Sequence, residues 1–332
     1  MKPWLLTLLL AFSAAKAQDL QTVTVDNFIR AESDMYFTMF EKQGGFGKFL
    51  HARDLPLGDT GVRPNRDTLY SIAVFDLDAG PVTITLPDAG TRFMTMMSVD
   101  EDHYVHDVVY GKGVYTLDRT SVGTRYVFVA VRTLVDSASQ RDFARARALQ
   151  DGVKVSQQSP GKLEVPAWDP VSQQKIRDAL LVLNETLPDL RRGGGRRGEV
   201  DPVRHLIATA SAWGLNPEKD AIYLNITPPR NDGTTVYRLN VKEVPVDGFW
   251  SVTVYDQTGH IQPNSLNAYS LNNITAKKGA DGSVAIQFGG CDGKIPNCLP
   301  VLAAWNYMVR LYRPRSEIMD GTWQFPEAMA VQ

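Results

Sequence analysis

The stretch Phe249-Trp250-Ser251-Val252-Thr253-Val254-Tyr255-Asp256 alternates with a period of two: Trp250, Val252 and Val254 fall on one side, and Ser251, Thr253 and Tyr255 on the other. This is the pattern of a β-strand with one face in an apolar core. Residues 303–312 repeat it, with Trp305, Tyr307, Val309 and Leu311 alternating with Asn306, Met308, Arg310 and Tyr312. The aromatic and aliphatic set makes a core face, which leaves Arg310 as a cation on the opposite side. Residues 221–226, 234–241 and 283–288 read as further strands, so the second half is an all-β unit.

The first half has the same character. Short β-rich runs at 69–77, 82–86, 93–99, 104–109, 114–117 and 126–132 are separated by turn signals such as Ala79-Gly80-Pro81 and Pro87-Asp88-Ala89-Gly90. Strands at this spacing predict an antiparallel sandwich or barrel. No βαβ alternation and no dinucleotide-binding glycine motif is present. Helical spacing of Phe28, Ala31, Met35 and Met39 predicts a helix over 26–42; residues 141–150 and 171–187 predict two more, the latter with Ile176, Leu180, Leu183 and Leu187 on one stripe. Asp201 and Pro202 are placed to cap and start another. The run Arg191-Arg192-Gly193-Gly194-Gly195-Arg196-Arg197-Gly198 reads as an exposed linker or loop, since it lacks the Lys-Ser/Thr ending of a phosphate-binding loop. The expected fold class is mainly β with peripheral helices: a β-sandwich over 18–135, a helical connector over 136–215, and a second β-sandwich over 216–332.

Residues 1–17 read as a cleavable leader, with Lys2, an apolar core from Trp4 to Phe12 interrupted by Thr7, and Ala15-Lys16-Ala17 at its end. The apolar run is shorter than the roughly 20 residues a membrane-spanning helix needs. The leader predicts export, without membrane insertion. Loss of Lys2 and Lys16 takes the 35 basic residues to 33 against 37 acidic ones, a balance that offers nothing to nucleic acid. Cys291 and Cys298 stand in the turn-rich stretch Gly-Gly-Cys-Asp-Gly-Lys-Ile-Pro-Asn-Cys-Leu-Pro, where export favours a disulfide worth roughly 2.5 kcal/mol on the chain-entropy model. A two-thiolate metal site lacks any nearby His.

Two polar clusters stand out. In Arg63-Pro64-Asn65-Arg66-Asp67-Thr68-Leu69-Tyr70-Ser71, Pro64 biases Arg63 towards extended backbone, and an extended segment sends Arg63, Asn65 and Asp67 to one side and Arg66, Thr68 and Tyr70 to the other. Such a set suits an anion-binding fork, an Asp held for proton transfer, or a polar network at a strand entrance. In Asp100-Glu101-Asp102-His103-Tyr104-Val105-His106-Asp107, a strand would align Asp102, Tyr104 and His106 on one face, which suits acid–base work, ligand contact or plain turn chemistry. It separates His103 from His106, so no metal site is expected. Amides and aromatics beyond Tyr255, including Asn264, Asn267, Tyr269, Asn272 and Asn273, are typical lining for a polar, sugar-like ligand. Nucleophile-elbow and zinc-protease motifs are absent.

Asn65-Arg66-Asp67-Thr68-Leu69-Tyr70-Ser71, Asp76-Leu77-Asp78-Ala79-Gly80-Pro81 and Asp247-Gly248-Phe249-Trp250-Ser251-Val252-Thr253-Val254-Tyr255, with Tyr269-Ser270-Leu271-Asn272-Asn273 and Arg310-Leu311-Tyr312-Arg313-Pro314, together resemble bacterial exported proteins that pair the domains of unknown function 1254 and 1214. The resemblance implies an immunoglobulin-like first domain, a jelly-roll-like second one and self-association as a homo-oligomer, and it narrows export to the periplasm. It supplies no catalytic residue. The expectation is a hydrolase or lyase acting on a small polar metabolite in an interdomain cleft, without a cofactor. Asp67, Asp102 and His106 are its catalytic candidates, and Arg63, Asn65, Tyr70, Tyr104, Tyr255, Asn272 and Arg310 its ligand contacts. The alternative is a non-catalytic envelope protein that binds a glycan or a protein.

Overall fold

The structure, a computed structural model, describes residues 19–58 and 62–331; the leader read at 1–17 lies outside them. The first half runs α1 (Phe28–Lys42), β1 (Leu50–His51), β2 (Thr68–Asp76), β3 (Val82–Leu86), β4 (Met94–Asp100), β5 (Val105–Tyr110), β6 (Gly113–Leu117), α2 (Arg119–Val122) and β7 (Tyr126–Leu134). Next come α3 (Gln140–Gly152), β8 (Lys154–Ser156), α4 (Pro170–Asn184) and α5 (Pro202–Ser211). The second half runs β9 (Ala221–Ile226), β10 (Tyr237–Val241), β11 (Trp250–Tyr255), β12 (Ser270–Asn272), β13 (Val284–Phe288), β14 (Cys298–Leu299), β15 (Asn306–Tyr312), α6 (Ser316–Met319) and β16 (Met329–Ala330).

In the first half a sheet of order β1-β2-β7-β4-β5 faces a smaller one of order β6-β3-β8. Between them lie Ala73, Phe75, Ile84, Met96, Val127, Val129 and Val131, all from the same face of their strands. The opposite face of the large sheet is split. Its inner part, with Val74, Met97, Phe128 and Ala130, is covered by Phe37 of α1 and by Trp213. Its other end carries Tyr70 and Arg132 and is turned towards the second half.

The second half is two facing sheets, β14-β13-β10-β16 and β12-β11-β15-β9. Trp250, Val252 and Val254 pack with Trp305, Tyr307, Val309 and Leu311 in the core between them, as the alternation predicts. Burial of side chains of this size contributes roughly 1.5–3 kcal/mol each, so this core fixes the register and sends every intervening residue of β11 and β15 outward. The chain is thus β-rich with peripheral helices, as expected, and a disulfide joins Cys291 to Cys298. Among the described residues no helix is long and apolar enough to cross a membrane.

Three local expectations fail. The glycine-rich run is a loop with Arg192, Arg196, Arg197 and Gly198 exposed, but its centre is packed: Gly193, Gly194 and Gly195 are buried, and a Cβ on Gly194 would stand 2.7 Å from the Leu215 carbonyl oxygen. The run is a strap, held by the Gly193 carbonyl on His205 Nδ1 (2.9 Å) and by the Gly195 carbonyl accepting from Val105 N (2.9 Å). Arg63 is left-handed at φ 51° rather than extended, because its N–H is tied to the Gly259 carbonyl (2.7 Å) and its own carbonyl accepts from Arg310. Finally, β5 begins only at Val105, and His103 has φ 64°. Asp102 and Tyr104 therefore sit in a turn and share no strand face with His106.

Candidate functional site between the halves

Two rows of side chains meet where the halves pack. On the first sheet, Tyr70 of β2 pairs with Arg132 of β7, Arg132 with Thr95 of β4, and Thr95 with Tyr110 of β5. On the second, Asn272 of β12 pairs with Ser251 of β11, Ser251 with Arg310 of β15, and Arg310 with Tyr223 of β9. Residues directly opposite on neighbouring strands share a face, so each register row is a polar stripe. An apolar seam of Leu134, Ala221, Phe249 and Tyr312, with Phe93 against Phe249 at 5.1 Å, closes the halves beside the stripes.

The segment before β2 bridges the two rows. Asn65 Nδ2 donates to the Tyr312 hydroxyl at 2.8 Å and to the Tyr70 hydroxyl at 3.4 Å. Arg310 donates to Thr253 Oγ1 (3.0 Å), to the Tyr255 hydroxyl (2.6 Å) and to the Arg63 carbonyl (3.0 Å). The Tyr255 hydroxyl in turn donates to the Pro64 carbonyl at 2.8 Å. Arg132 Nε donates to the Tyr70 hydroxyl at 3.1 Å and its Nη1 to Asn216 Oδ1 at 3.1 Å, while Nη2 has no hydrogen-bond partner among the described residues.

The electrostatics are lopsided. Arg132 and Arg310 are buried, Arg63 and Arg66 half-buried, and none of the four lies in a salt bridge among the described residues. Asp67 is the carboxylate among them. It is fully buried and accepts from Asn272 Nδ2 at 3.3 Å, with the Ser251 hydroxyl beside it. Burial raises the Asp67 carboxyl, with Arg310, Ser251 and Asn272 pulling the other way. The two phenols are pushed apart. Burial would raise Tyr70, but the charge and hydrogen bond of Arg132, with Asn65 and Arg310, bring it below the ordinary tyrosine value. Burial raises Tyr312 well above it. Tyr70 and Tyr223 are closely surrounded, yet each keeps part of its surface open.

Of the residues singled out from sequence, Arg63, Asn65, Asp67, Tyr70, Tyr255, Asn272 and Arg310 come together here. Asp102, Tyr104 and His106 do not. The Asp102 carboxylate is held by Arg30 (2.5 Å) and Arg197 (2.9 Å), and Tyr104 stacks on His205 at 4.4 Å beneath Arg197. Half-buried His106 lies on β5 and is lowered by burial, with Asp107 opposing. Sequence reading missed Arg132, Tyr223, Tyr312, Ser251 and Asn216. Arg132 did carry a signal, as the single charge in the strand Tyr-Val-Phe-Val-Ala-Val-Arg-Thr-Leu. Among the described residues no group of three or more His, Cys, Asp or Glu is placed to hold a metal ion.

These features define a β-rich protein of two packed sandwiches with a buried arginine–tyrosine site at their junction. Two family models match the chain in this order: residues 46–116 match the model described as protein of unknown function DUF1254, and residues 227–316 the one described as protein of unknown function DUF1214. The crystal structure of the VPA0106 protein from Vibrio parahaemolyticus is similar, at 18% identity and a TM-score of 0.71, over 93% of this chain and 98% of that one. A putative uncharacterized protein from Burkholderia cenocepacia is similar at 12% identity and a TM-score of 0.52, over 92% and 87% of the two chains. Both likenesses are of fold. No curated protein matches the chain.

Proposed function

We propose that the interdomain site takes a small carboxylate-bearing polar molecule and acts on it by proton abstraction, as a lyase with Tyr70 as general base. The observation that carries this reading is the Tyr70–Arg132 pair, a phenol with a lowered pKa in a site whose cations outnumber its carboxylates. Nη2 of Arg132 is the donor left for a substrate carboxylate, and guanidinium groups suit that geometry. The proton passes from the carbon next to the carboxylate to the Tyr70 oxygen. The electron pair is delocalised onto the carboxylate facing the arginines, then expels a β-substituent. Asp67 is closed off from solvent, which suits an electrostatic partner of Arg310 rather than a proton carrier. The disulfide, and the lack of a membrane-crossing helix among the described residues, support work in the periplasm.

The test is deuterium wash-in. Incubated in D2O with a panel of small hydroxy- and oxo-acids, the protein is expected to exchange the α-hydrogen of at least one of them, and Tyr70→Phe to slow that exchange by at least about 100-fold. Equal exchange by both proteins removes Tyr70 from the base role. Thermal stabilisation by an acid without exchange or turnover indicates a binding protein instead.

A further inference from the structure

A cleft of about 400 Å3 opens elsewhere on the first half, between α1, the β4–β5 turn, the start of β7 and the chain at 164–168. That volume is within the range of small-molecule sites. Its guanidinium groups are already matched. Arg30 donates to Asp102 at 2.5 Å and to Glu101 at 3.2 Å, Arg119 lies 3.2 Å from Asp78, and Arg125 reaches Asp76 at 2.9 Å and Glu164 at 3.0 Å.

One acceptor is not matched, although Glu101 accepts from Arg30 and from Tyr126 N (2.9 Å). Asp34, from α1, is 1% exposed; its Oδ2 accepts from Trp168 Nε1 at 2.8 Å, whereas its Oδ1 is buried without a hydrogen-bond partner among the described residues. Buried carboxylate oxygens are rarely left this way, so this one calls for a donor that the fold does not supply. Glu101 is also buried beside it, and the rings of Trp168 and Tyr126 border the cleft. Aromatic faces attract cations.

We propose that this cleft binds a small organic cation, an ammonium or guanidinium, whose N–H donates to Asp34 Oδ1 while its charge lies between Asp34, Glu101 and the Trp168 ring. An anion would meet two buried carboxylates and arginines that are already engaged. Burial holds the Asp34 carboxyl up at about 7, with the Trp168 hydrogen bond and Arg30 lowering it and Glu101 and Asp102 raising it. The remaining charged or titratable groups around the cleft are Arg119, Arg125, Tyr126 and Glu164. A cation at Asp34 favours the ionised carboxylate, so binding near neutral pH releases a proton.

Calorimetric titration with n-butylammonium, n-butylguanidinium and, as the anion control, butyrate tests this. Measurements are made at about pH 7 in two buffers of different ionisation enthalpy and again at about pH 8.5, where Asp34 is already ionised. The expected result is saturable millimolar binding of at least one cation and none of butyrate, with heats that depend on buffer at the lower pH and not at the higher. Asp34→Asn is expected to bind at least about tenfold more weakly. Saturable binding of neither cation, equal or tighter binding of butyrate, or unchanged affinity in Asp34→Asn overturns the proposal. If that variant does not fold, the wild-type heats decide alone: no buffer dependence at the lower pH rejects Asp34 as the contact.

Discussion

Tyr70 and Arg132 face each other across one rung of the β2–β7 ladder, and that rung sets the chemistry proposed for the site. A phenol whose folded pKa lies below its unfolded value has the stabilisation in full above the unfolded value of about 10, and loses it as pH falls through the folded one. At neutral pH the depression therefore adds little to stability. Its consequence is a larger phenolate fraction, so a rate that depends on Tyr70 as base rises with pH through its lowered pKa. Ultraviolet titration at the tyrosinate band is expected to show one phenol ionising below the ordinary tyrosine range. That step disappears in Tyr70→Phe and moves upward in Arg132→Met; a titration unchanged in both variants contradicts the assignment. Among single residues, Asn65, Tyr70 and Arg310 were legible as candidates because each is polar in a context that otherwise reads as strand. Tyr223 and Tyr312 were not, since a tyrosine in a strand is an ordinary core residue until the facing sheet is known.

Elements explain why some readings held and others failed. The alternation in β11 and β15 was legible because a sheet with one apolar face imposes a period of two, whatever its partner. The strap at 191–198 was not legible, since Gly and Arg promise flexibility only when nothing packs on them, and here α5 and the Leu215 backbone do. Gly194→Ala is accordingly expected to destabilise the protein by about 1–3 kcal/mol through overpacking, read as a lower midpoint in urea unfolding. A neutral effect would restore the linker reading. The turn at Asp100–Tyr104 escaped for a related reason. A run of charges next to β-branched residues fits a strand edge in sequence, but the Asp100 carboxylate accepts from the N–H groups of Asp102 and Tyr104 at 2.9 and 2.8 Å, and that folds the chain back.

At the scale of the whole molecule, the two halves bring to one place what neither holds alone. The first contributes Tyr70 and Arg132, the second Arg310, Tyr223 and Tyr312, and the segment before β2 ties them together through Asn65 and Arg63. The interdomain location was expected from two clusters, Asn65/Asp67 and Asp102/His106, and of these only the first lies at the junction. The particular meeting of the two rows was not, since it depends on how the sheets dock. The most direct test is incubation of wild-type protein and Tyr70→Phe with a bacterial periplasmic metabolite extract, followed by mass spectrometry of bound and consumed species. The expected result is a small carboxylate that the wild type consumes and Tyr70→Phe binds without consuming. An extract in which nothing is bound or consumed, or in which both proteins consume the same species equally, contradicts it.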